Sequence, residues 1–169
     1  MFRSTGPRDF RIPSSREVAE DFGEPIAVLR QPPGEWFTLL GRQNSNGFLC
    51  HLDVNYHVNK DLVAIVQTSR PVPESHRVKS LTTPETQLQV FLANSDRLGP
   101  GPYRGRVITP DSRRTEVRLD GVAVAVDAYS AEGCTSARLP HGAGYLIVTA
   151  PDEHWALASD LALRPPAAF

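Results

Sequence analysis

Apolar and polar positions alternate most cleanly over residues 50–58, where Leu52, Val54, Tyr56 and Val58 fall on one side and His51, Asp53, Asn55 and His57 on the other. Period-two alternation with β-branched and aromatic residues on one side predicts a half-buried strand. The same kind of short run recurs along most of the chain. Residues 26–31 and 35–41 flank Pro32-Pro33-Gly34 and predict a hairpin, 42–47 forms a connection into a strand opening at Phe48, and Asn59-Lys60-Asp61 turns the chain into 62–68. Connections this short cannot make parallel crossovers, so these four strands are expected to form an antiparallel meander.

Farther on, 69–84 holds three prolines and reads as an irregular loop, and 85–93 alternates Leu88, Val90 and Leu92 with polar and aromatic neighbours, which favours a strand over a helix. Residues 114–119 and 122–130 flank Asp120-Gly121, a dipeptide suited to a two-residue type I′ hairpin because both positions tolerate positive φ. Residues 135–139 and 144–150 make a further pair around a Pro-His-Gly-Ala turn. The last segment, 151–163, fits either a helical turn or a final strand. One short helix has its own punctuation: Ser14 caps it, Glu17 is the reciprocal partner, Val18, Ala19 and Phe22 form the stripe, and Gly23 with Pro25 ends it.

These elements predict an all-β fold, a mainly antiparallel sandwich or small barrel, with one short N-terminal helix. Residues 1–24 read as an N-terminal arm and helix, and 25–169 as one β domain with a Gly/Pro break at 99–102. A chain of 169 residues with 40% apolar content is of single-domain size.

Composition mainly excludes. A formal net charge of −1 argues against a strongly basic nucleic-acid or membrane-surface binder. No apolar run reaches the length of a signal sequence core or a membrane span, so a cytoplasmic protein is expected, with no membrane partner. Cys50 and Cys134 are too few and too far apart for a disulfide framework or a Cys-x-x-Cys site, and buried thiols are expected. The glycines of 99–105 alternate with prolines, which lack the N–H donors a phosphate loop needs, and no Gly-x-Ser-x-Gly nucleophile turn exists. No cofactor is implied.

Candidate chemistry is sparse. His51 and His57 lie roughly 20 Å apart on an extended strand, too far to share an ion. His51 with Asp53 remains a candidate metal or acid/base pair, completed in a barrel enzyme by a cross-strand residue such as Asp127 or Tyr129. The alternative is that the row is the wet face of the sheet. Residues 97–118 carry six arginines against two acids, and 119–169 carry six acids against two arginines. Tyr103, Arg104, Arg106, Arg113 and Arg114 are therefore candidates for an anionic-ligand or nucleic-acid surface, but pairing across the sheet is the expected use of the arginines. His154 and Trp155 sit in a turn, with Trp155 the expected exposed aromatic for a protein partner or self-association. The functional expectation is a binding or interaction module, with a small barrel enzyme as its rival.

Overall fold

The computed structural model describes residues 12–34, 37–43, 49–68, 83–93 and 108–169. Nine strands are defined among them: β1 (Ile26–Leu29), β2 (Thr38–Gln43), β3 (Leu49–Val58), β4 (Asp61–Thr68), β5 (Asp111–Leu119), β6 (Val122–Ala131), β7 (Cys134–His141), β8 (Gly144–Pro151) and β9 (Asp160–Arg164). They form one mixed sheet in the order β1-β9-β5-β6-β7-β8-β4-β3-β2, curled into a half-barrel. All pairings are antiparallel except β5 with β9. Two α-helices, α1 (Pro84–Ala93) and α2 (Trp155–Ala158), accompany them, with short 3₁₀ turns at Asp152–His154 and Pro166–Ala168. No helix among the described residues is long and apolar enough to cross a membrane.

The local hairpins follow turn chemistry. Asp120 and Gly121 both have positive φ, 50° and 79°, which joins β5 to β6 with the twist a two-residue hairpin needs. Glu132-Gly133 and Gly142-Ala143 close the next two hairpins, and Asn59, at φ 59°, opens the turn into β4. β2, β3 and β4 form the expected antiparallel meander.

β1 departs from it. The predicted β1–β2 hairpin does not form, because β1 pairs along its length with β9, from Ile26 opposite Arg164 to Leu29 opposite Leu161. Its other edge faces the inside of the curl, where side chains take the place of a strand. The Gln67 carboxamide accepts the Ala27 N–H at 2.8 Å and donates to the Ala27 carbonyl at 3.0 Å, and the Tyr56 hydroxyl accepts the Leu29 N–H at 3.3 Å. Buried backbone groups must be paired, so these three bonds satisfy the edge of β1 that has no ladder partner among the described strands.

The main core lies on that inner face. It gathers Ile26, Leu29, Leu52, Val54, Tyr56, Ile65, Leu139, Leu146, Val148 and Leu161 with Val18 and Phe22 of the N-terminal segment. That segment, where a short helix is expected, holds a π turn in place of an ordinary α-helix. Ser14 and Glu17 exchange the reciprocal capping bonds, but Gly23 N–H bonds back five residues to Val18, so 17–22 forms a single π turn.

The segment 85–93 is a helix and not a strand. Pro84, Gln87, Leu88, Phe91 and Leu92 are buried, the spacing of a helical face, and Thr83 caps it by accepting the Thr86 N–H at 3.2 Å. α1 covers the outer face of the sheet, where Leu88, Phe91 and Leu92 pack on Ala64 and Cys134. At the C-terminal end both expected forms occur in succession, α2 and then β9. The break at 99–102 and the loop over 69–82 lie outside the described residues.

Candidate functional site

β1 and β2 are the two edge strands of the curled sheet and do not pair with each other. A cleft of about 530 Å³ lies between them. Val28 and Leu29 of β1, Leu39 of β2 and Tyr56 of β3 supply walls, with Phe37 and Phe169 beside them. The aromatic rings are in contact: Phe37 lies 5.7 Å from Tyr56 and 6.0 Å, edge-on, from Phe169 between centroids. Phe37 is 39% exposed, a large apolar group at the rim.

Among the described residues of this lining, Arg164 is the one with a charged side chain. Burial pushes the Tyr56 phenol up from its ordinary pKa, opposed by the Leu29 N–H and by the positive field of Arg164. The cleft thus offers apolar and aromatic walls, a phenol already engaged with backbone, and an exposed guanidinium. Its volume falls within the range of small-molecule clefts. Alternation along β3 predicted the inward position of Tyr56, but the cleft depends on strand partners more than a hundred residues apart and had no local signal.

The sequence candidates fall elsewhere. His51 and Asp53 are paired, His51 Nε2 lying 2.5 Å from Asp53 Oδ1. The row on β3 is not uniformly wet: His51 is 2% exposed, Asp53 and Asn55 are half-buried, and only His57 is exposed. Asp127 and Tyr129 do not join this pair. β7, β8 and β4 stand between β6 and β3, a separation of roughly 19 Å at sheet spacing. Among the described residues no third His, Cys, Asp or Glu donor converges on His51 and Asp53.

Asp127 and Tyr129 instead border a shallow groove of about 430 Å³ on the outer face. It opens where β6 and β7 part company, their ladder running only from Ala128–Ala137 to Ala131–Cys134. Arg138 stacks there over the Tyr145 ring, 4.3 Å from its centroid. The Glu85 carboxylate raises the Tyr129 phenol above its ordinary pKa.

The arginines of β5 are used across the sheet. Arg114 pairs with Asp127 at 3.0 Å, and Arg113 reaches the Thr135 hydroxyl at 3.5 Å. Tyr103, Arg104 and Arg106 lie outside the described residues, as does the side chain of Cys50; Cys134 is a buried thiol. Trp155 is not the exposed anchor expected from its turn, since it is half-buried against the main core. Its neighbour His154 places Nε2 2.9 Å from Asp61 Oδ2, and Glu153 joins them, the only convergence of three potential metal ligands among the described residues.

Comparison with protein-family profiles, curated proteins and solved structures gave no match.

Proposed function

We propose that this domain is a binding module for a small amphipathic anion, an apolar chain or ring bearing one carboxylate, held in the cleft between β1 and β2. The observation that carries this reading is the make-up of the cleft: about 530 Å³ walled by apolar and aromatic side chains, with Arg164 the one charged side chain among its described lining residues. Burying an apolar ligand surface there is favourable by about 25 cal/mol per Å² before the costs of association. The guanidinium selects the charge, because it presents two parallel donors to a carboxylate.

Decanoate, decanol and decylamine separate the two contributions. Titration calorimetry is expected to rank decanoate first, and Arg164→Gln to weaken decanoate about tenfold while leaving decanol unchanged. Equal binding of decanoate and decylamine, or no binding of any of the three, contradicts the reading.

The rival acid/base reading keeps the His51–Asp53 pair, a buried imidazole oriented by a carboxylate. It lacks the partners expected from Asp127 or Tyr129, both of which lie on β6, four strands from β3 in the sheet.

A further inference from the structure

A second site stands apart from the cleft. Asp61 begins β4 directly after the Asn59-Lys60 turn, whereas Glu153 and His154 belong to a single 3₁₀ turn that follows β8. Two strands of the same sheet, paired from Ala64–Thr149 to Thr68–Tyr145, bring these segments together across more than ninety residues of chain. The 3₁₀ turn is fixed in place: Asp152 N–H donates to the Gly133 carbonyl at 2.8 Å, and the Thr135 hydroxyl donates to Asp152 Oδ1 at 2.5 Å. The donor atoms of Asp61, Glu153 and His154 all lie within 4.8 Å of one another.

We propose that Asp61, Glu153 and His154 form a binding site for a divalent transition ion, zinc by preference. Zinc holds nitrogen and oxygen ligands at about 2.0–2.2 Å, which sets neighbouring ligand atoms roughly 3–3.6 Å apart. His154 Nε2 and Asp61 Oδ2, at 2.9 Å, already have nearly that separation, so an ion replaces the shared proton with little movement. Glu153 is exposed and its ligand atom already lies within 4.8 Å of the other two, so a small rotamer adjustment closes the remaining distance. His154 and Asp61 are 15% and 23% exposed, enough for an ion to enter and too little for full hydration of either group. The imidazole sets the choice of metal. Two carboxylates alone would suit magnesium or calcium, whereas a nitrogen donor favours zinc and its neighbours. Three protein ligands leave a fourth position open to water.

Calorimetric titration of the full chain with zinc chloride, and visible absorption on adding cobalt(II), test the site. One zinc per chain is expected with a dissociation constant below about 10 µM, together with a cobalt d–d band, and no comparable heat from magnesium or calcium. Glu153→Gln and His154→Ala are each expected to weaken zinc at least about tenfold, and His51→Asn to leave it unchanged. Glu153 is exposed, so its variant tests the site even where His154→Ala disturbs folding. Absence of zinc and cobalt binding, equal binding of calcium, or a loss smaller than tenfold in Glu153→Gln overturns the proposal.

Discussion

The carboxamide of Gln67 grips the backbone of Ala27 at both its polar groups, accepting the N–H at 2.8 Å and donating to the carbonyl at 3.0 Å. Gln67 is fully buried, and among the described residues no strand lies beside β1 on that edge to take over these bonds. Gln67→Leu leaves two buried backbone groups unpaired and is expected to cost at least about 2 kcal/mol in chemical denaturation.

Gln67→Glu should add a pH dependence the parent lacks. The neutral acid can still donate to the Ala27 carbonyl, but the carboxylate turns a second oxygen toward it. The folded-state pKa of the new side chain is therefore raised, the folded state holds the proton longer, and stability relative to the parent falls as pH rises from about 4 to 7. Denaturation midpoints at these two pH values measure the gap, and a gap that does not widen would refute the role given to Gln67.

His141 sets a second pH dependence of opposite sign. Burial lowers its pKa, against the Pro25 carbonyl and the Glu24 carboxylate, which favour the charged ring. Its Nε2 is buried with no hydrogen-bond partner among the described residues. Below the ordinary histidine pKa of about 6.5 the unfolded chain takes up the proton first, so stability falls as pH drops from 7 toward 5. His141→Gln is expected to flatten that part of the stability profile. The pair of Asp160 with Arg30 holds the Asp160 carboxyl below its usual range, so its contribution disappears only at lower pH.

Two glycines are expected to resist substitution for different reasons. Gly121 has φ 79° and open space where a Cβ would go, so Gly121→Val costs about 1 kcal/mol or more through backbone strain alone. A Cβ on Gly144 would fall on the Thr68 carbonyl oxygen, which is sheet backbone and cannot move aside. Gly144→Ala is therefore expected to lower the denaturation midpoint more than Gly121→Val does.

Features fixed by neighbours in sequence were legible in it. The inward face of β3, the Asp120-Gly121 turn and the β2–β3–β4 meander each depend on residues within a few positions of one another. The β1–β9 pairing was not, since Ala27 and Leu163 are joined by tertiary context and nothing in 26–31 distinguishes an edge that meets side chains from one that meets a strand. α1 carries a local signal of its own: Thr83-Pro84-Glu85 places a cap, a first-turn proline and a first-turn acid in order, and the alternation of Leu88, Val90 and Leu92 obscures it. The candidate cleft and the Asp61–Glu153–His154 cluster both join distant segments, which periodicity cannot reveal.

Chemical-shift mapping tests the central claim most directly. In amide NMR spectra of the full chain titrated with decanoate, the account predicts saturable shifts concentrated at Val28, Leu29, Phe37, Leu39, Tyr56 and Arg164, and little change at Asp127, Tyr129 or Arg138. Shifts centred on the outer groove, or none beyond those caused by ionic strength, would contradict it.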